Sequence, residues 1–99
     1  MDALPFDTQE LIQLCRENDV AIPWVFGSAA RGEAMEESHI DLLVRFSRGK
    51  SLLALVRLER EISKALGRKI DLLTDSALSP YLRDQIRQDL RVIYDETRG

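Results

Sequence analysis

Two aspartates, one histidine and a small-residue turn are the groups in this chain whose types and spacing suit chemistry. Asp41 sits near the head of the apolar run Ile40-Asp41-Leu42-Leu43-Val44, and Asp71 occupies the same place in Ile70-Asp71-Leu72-Leu73. Both runs read as strands. Side chains alternate faces along a strand, so positions 39 and 41 project to one side, about 6.5 to 7 Å apart. If the strand carrying Asp71 lies beside the one carrying Asp41, the two carboxylates converge. Carboxylates meeting from neighbouring strands suit a divalent-metal site for phosphoryl or nucleotidyl transfer, because hard oxygen ligands hold Mg²⁺ and metals ~3.5 to 4 Å apart clamp the attacking and leaving oxygens.

The turn supplies the other half of such a site. From Gly27 to Gly32 every residue is small except Arg31, which suits a backbone that turns sharply and approaches something closely. Backbone N–H groups at Gly27 and Ser28, with the Ser28 hydroxyl, are placed to hold a triphosphate. Arg31 has two roles open to it: pairing with phosphate, or anchoring the acidic spacer that contains Glu33, Glu36 and Glu37. A Gly-Ser turn alone is ordinarily a simple reversal of the chain. The acidic strand that follows it gives the turn its significance.

Around these residues the hydrophobic pattern predicts a short series of elements. Asp7 with Glu10 marks the start of a helix running to about Asn18, with Leu11, Ile12, Leu14 and Cys15 on its apolar face. A first strand, Ala21 to Phe26, contains Pro23 and is therefore expected at an edge or with an irregular start. A short helix from Ser28 to about Ala34 follows, then a strand from Ile40 to Phe46. Ser51 caps a long helix closed by Gly67, and Ile70 to Leu73 is the third strand. Ser79-Pro80 opens a last helix to about Leu90, before a terminal strand Val92-Ile93-Tyr94 and a frayed tail from Asp95. The order predicts an α+β (α/β) domain spanning residues 1–99, with a small mixed sheet and helices packed mainly on one face.

Composition narrows the setting. The apolar fraction of 44% and charged fraction of 31% are those of a globular chain, and no apolar run reaches the ~20 residues needed to span a bilayer. A net charge of −3 argues against stable nucleic-acid binding by bulk electrostatics. Arg83, Arg87 and Arg91 recur at four-residue steps and are expected to line one solvated helical face. A lone cysteine, Cys15, reads as a buried structural thiol. The absence of a signal-like N-terminus predicts a cytoplasmic location.

Taken together, Gly27-Ser28, ten residues, position 39, one residue and Asp41 resemble the signature of the DNA polymerase β-like nucleotidyltransferases, Gly-Ser, ten residues, Asp-x-Asp. The wording GSAARGEAMEESHIDLLV is similar to the minimal nucleotidyltransferase (MNT) branch. The likeness continues through the long helix, Gly67-Arg68-Lys69-Ile70-Asp71-Leu72-Leu73 and Val92-Ile93-Tyr94. The resemblance implies a Mg²⁺-dependent transfer of AMP from ATP to a hydroxyl, with pyrophosphate leaving. It implies that Gly27 and Ser28, with Arg31 nearby, bind nucleotide, that Asp41 binds metal, and that Asp71 is the third carboxylate, assisting deprotonation of the acceptor. It further implies an antitoxin whose partner is a HEPN-domain ribonuclease toxin, modified on a tyrosine. A partner-masking module without catalysis and a small-molecule transferase subunit are the alternatives.

Position 39 departs from that pattern: His39 stands where the family has its first aspartate, and so falls at a catalytic and metal-ligand position with Asp41 and Asp71. Neutral imidazole is a poor ligand for Mg²⁺ and suits Mn²⁺ better. A natural loss of catalysis, an introduced substitution and an altered but working metal site are all compatible with a histidine here, so impaired activity is the expectation.

Overall fold

The computed structural model of the chain describes residues 4–35 and 37–96. Helix α1, Thr8–Glu17, begins where the Asp7 carboxylate accepts the N–H groups of Gln9 and Glu10 at 3.1 and 3.2 Å, and it buries Leu11 and Cys15 one turn apart. Strand β1, Val20–Phe26, runs into a single helical turn, α2, Gly27–Ala30. Strand β2 spans Ile40–Phe46. Helix α3, Leu52–Leu66, starts with the Ser51 hydroxyl accepting the Ala54 N–H at 3.1 Å and ends at Gly67, whose φ of 64° is the left-handed geometry of a helix stop. Strand β3, Ile70–Thr74, leads through a 3₁₀ turn, Asp75–Ala77, to helix α4, Pro80–Ile86. A second 3₁₀ turn, Arg87–Asp89, precedes the two-residue strand β4, Arg91–Val92.

The four strands form one mixed sheet in the order β3-β2-β1-β4, with β2 and β3 parallel and the other pairs antiparallel. Alternation along β2 sends Ile40, Leu42 and Val44 into the main core. There they meet Ile70 and Leu72 of β3, Leu11 and Cys15 of α1, and Leu58 and Ile62 of α3. The opposite face carries Asp41, Leu43 and Asp71. It is covered in part by a smaller cluster of Phe26, Leu43 and Leu78 with Trp24, Ile86 and Leu90. The expected mixed sheet with its helices mainly on one face is what the chain adopts. The site lies on the less covered side. No helix among the described residues is long and apolar enough to cross a membrane.

Several boundaries differ from expectation. Of the two settings expected for Pro23, an edge or an irregular start, the second holds: β1 is internal, and its register against β2 shifts between Val20 and Ile22. The Pro23 carbonyl accepts the Ile93 N–H at 2.9 Å, and a strand residue's N–H and C=O point the same way, so the donor that proline lacks faces only the short β4 side. The last helix ends at Ile86, not Leu90, which removes Arg91 from the expected arginine stripe: Arg83 donates to the Asp75 carbonyl at 3.1 Å and Arg91, in β4, to the Ala30 carbonyl at 3.3 Å. Strand β4 begins one residue earlier than expected and ends at Val92, leaving Ile93 and Tyr94 outside it, and Asp95 keeps an interaction of its own. Residues 97–99 of the tail lie outside the described residues. Of the two edge strands, β3 and β4, the first is protected on its outer side because the Leu72 N–H donates to Glu59 of α3 at 2.9 Å. Cys15 is fully buried, and burial pushes its thiol up to about 12, as befits an inert structural cysteine.

Replacing a core side chain and an exposed one of similar chemistry separates packing from mere hydrophobicity. Ile62→Ala is expected to cost about 2–5 kcal/mol in urea unfolding. Leu52→Ala, at a side chain 75% exposed, is expected to stay within about 0.5 kcal/mol of the parent.

Candidate active site

The site is built on the parallel pairing of β2 and β3. Asp41 and Asp71 are direct partners in that register, on strands about 4.8 Å apart. A one-residue slip of either strand would turn its own carboxylate into the core and the leucine beside it out. Asp41 is partly buried and Asp71 exposed. Burial first, and the neighbouring Asp71 carboxylate second, raise the Asp41 pKa above its ordinary value, while the charges of His39 and Arg31 pull it down.

His39 precedes β2 by one residue, and its Nδ1 lies 2.9 Å from Asp71 Oδ2. The three expected residues therefore occupy one place, with His39 engaged to Asp71. The loop that delivers His39 is fastened by Arg68, whose guanidinium donates to the carbonyls of Met35, Ser38 and Pro5 at 2.7, 3.2 and 3.3 Å. Its Nε is buried without a hydrogen-bond partner. Sequence reasoning assigned Arg68 no role. No local periodicity marks it, because its partners are carbonyl oxygens 30 to 63 residues away.

The turn between β1 and the spacer closes over Asp41. Gly27 has a φ of 71°, and a Cβ placed on it would lie 2.5 Å from Asp41 Oδ2, so both backbone geometry and space require glycine. Ser28 follows in α2, whose first N–H groups receive no side-chain cap. The helix expected to reach Ala34 stops at Ala30, since Gly32 adopts a φ of 73° and breaks it. Of the two roles open to Arg31, the anchoring one is occupied: Nε lies 3.1 Å from Glu33 and Nη1 2.7 Å from Asp89. Asp89 escaped the sequence reading. Glu36 of the spacer lies outside the described residues.

Among the described residues, no three His, Cys, Asp or Glu side chains are gathered into a ready-made metal site. The adjacent carboxylates nevertheless suit a hard dication, because each disfavours the other's charge and an Mg²⁺ ion between them would relieve it. Mg²⁺ commonly takes one or two carboxylates and completes its shell with phosphate oxygens and water, so a full protein cage is unnecessary. His39 adds a nitrogen donor that suits it poorly.

Residues 9–98 match the family described as Polymerase beta, Nucleotidyltransferase. The chain belongs to that family. A relative from Methanocaldococcus jannaschii, named as a protein adenylyltransferase, is 44% identical over 78 residues, covering 79% of this chain and 84% of its own. A solved structure described as a minimal nucleotidyltransferase is 36% identical, covers 85% of this chain and 86% of its own, and superposes with a TM-score of 0.73. An MNT antitoxin structure, solved in complex with a tri-AMPylated Shewanella oneidensis HEPN toxin, also has a TM-score of 0.73 and covers 92% of this chain and 71% of its own. At 20% identity it speaks for the fold alone. This chain is thus a nucleotidyltransferase by family, in the branch whose relatives are named protein adenylyltransferases.

The charge balance of this nucleotidyltransferase site has a thermal consequence. A carboxyl group whose pKa is raised on folding contributes stability below its unfolded value of about 3.9 and loses it as pH rises through the folded value. In metal-free buffer, Asp41→Asn is therefore expected to melt above the parent at pH 7, with the gap closing toward pH about 3. A melting temperature at pH 7 equal to or below that of the parent would refute the repulsion. Gly27→Ala is expected to destabilise by more than about 1 kcal/mol through its positive φ and its collision with Asp41.

Proposed function

We propose that this nucleotidyltransferase transfers AMP from ATP to a tyrosine hydroxyl of a HEPN-domain partner, as the antitoxin of a toxin-antitoxin pair, with its rate lowered by His39. The observation that carries the reading is the in-register pair Asp41 and Asp71 beneath the glycine turn at Gly27. Family membership and the adenylyltransferase relative support the reaction class. That relative's name supports a protein as the acceptor, and the HEPN tyrosine follows from the resemblance to the MNT branch.

In this reading Gly27 and Ser28 hold the triphosphate, and the missing Gly27 side chain leaves room for it beside Asp41. Asp41 and Asp71 would hold Mg²⁺, which when bound supplies the positive charge that lets phosphates approach two carboxylates. The acceptor oxygen forms a bond to the α-phosphorus, the bond to the bridging oxygen breaks, and pyrophosphate leaves with that electron pair. Asp71 orients the acceptor hydroxyl and receives its proton. His39 works against this role, since its Nδ1 engages one Asp71 oxygen and it brings no negative charge of its own. An ATP substrate and a lone thiol suit a cytoplasmic setting.

A second reading, a module that neutralises its partner by binding alone, is favoured by that same His39–Asp71 contact. The two separate in a transfer assay with the HEPN partner, labelled ATP and either Mg²⁺ or Mn²⁺. His39→Asp is expected to raise Mg²⁺-supported labelling by at least about tenfold, with a smaller gain in Mn²⁺. Asp41→Ala and Asp71→Ala are each expected to abolish it. Neutralisation without labelling in either His39 form would establish the binding module, and labelling undiminished by both aspartate variants would remove the assigned site.

A further inference from the structure

The glycine turn is too short to hold its own shape. Helix α2 has four residues, no side-chain N-cap and a positive-φ glycine at each side, and one helical turn lies far below the length at which a helix sustains itself. What fixes it comes from the other end of the chain. Arg31, at the C-terminal end of the turn, reaches Asp89 at 2.7 Å across 58 residues of sequence. In the reverse direction Arg91 donates to the Ala30 carbonyl at 3.3 Å. Between them Leu90 joins the apolar cluster of Phe26, the residue immediately before Gly27, and Arg91 pairs with Val25 in the sheet. Two polar ties and one apolar contact thus join residues 89–91 to the turn.

We propose that residues 89–91 form a clamp that sets the nucleotide-binding turn, with Asp89 as a positioning residue acting through Arg31. The proposal rests on the nucleotide role given above to Gly27 and Ser28. The Asp89 carboxylate is paired with Arg31, not with Asp41 or Asp71. Its carboxylate, together with Glu33, holds the Arg31 guanidinium in one direction, and so holds the backbone whose N–H groups would meet phosphate. An alternative arrangement would have Asp89 compete with phosphate for Arg31. The second tie, from Arg91 to the same turn, favours the anchoring arrangement, since it restrains the backbone without involving Arg31.

The test is ATP binding in Mg²⁺ buffer by calorimetry, with amide hydrogen exchange of residues 27–32 in nucleotide-free protein as an independent readout. Asp89→Asn is expected to weaken ATP roughly fivefold and to speed exchange in the turn, and Asp89→Glu to restore most of both. The double variant Arg31→Gln with Asp89→Asn is expected to bind no more weakly than Arg31→Gln alone. Affinity unchanged in Asp89→Asn, or tighter as competition would require, overturns the clamp. If Ser28→Ala leaves ATP affinity untouched, the nucleotide role of the turn falls instead. Exchange still decides the clamp in that case: protection of residues 27–32 unaltered by Asp89→Asn overturns it.

Discussion

The register between β2 and β3 is the constraint on which the rest of this molecule depends. It sets two carboxylates side by side on neighbouring strands, an arrangement that electrostatics opposes and that a sheet would not adopt for its own sake. The opposite faces of the same strands enforce it. Ile40, Leu42, Val44, Ile70 and Leu72 are buried against α1 and α3, and a one-residue slip of either strand would turn its share of them out of the core. Glu59 adds to this by occupying the outward Leu72 N–H, which ties α3 to the edge of the sheet. Burial of apolar surface on one side thus holds charge together on the other.

The cations nearest the site are committed elsewhere. Arg31 is held by Glu33 and Asp89, and Arg68 by three backbone carbonyls of the loop before His39 and the N-terminal segment. Arg45, further along β2, pairs with Asp75 at 2.7 Å and lies over the Trp24 ring. Among the described residues, none of these three arginines is paired with Asp41 or Asp71.

His39 alters this balance at one atom. An aspartate there would present a third carboxylate to an incoming dication, whereas the imidazole presents nitrogen and leans on Asp71. The contact stabilises the resting pair, because a donor on Nδ1 satisfies an exposed carboxylate oxygen. It also makes that oxygen harder to recruit.

Much of this was legible from local pattern. Helical caps at Asp7 and Ser51, the stop at Gly67 and the alternation along Ile40–Phe46 are dictated by a residue and its near neighbours, and each appears where the sequence places it. The spacing from Gly27-Ser28 to Asp41 likewise marked the site, because a turn and the strand after it are close in the chain. Local pattern left Pro23 between an edge and an irregular start, which only the sheet order and register decide in favour of the second, and it extended α2 and α4 beyond the glycine and 3₁₀ turns that end them. It said nothing of Asp89 or Arg68. Their partners lie 30 to 63 residues away, and a contact across that distance exists only once the hydrophobic core has folded the two segments against each other. Sequence alone determined the order of the elements and the residues they carry; the tertiary structure decided which charges neutralise one another, because those pairs form only between segments that the core brings together.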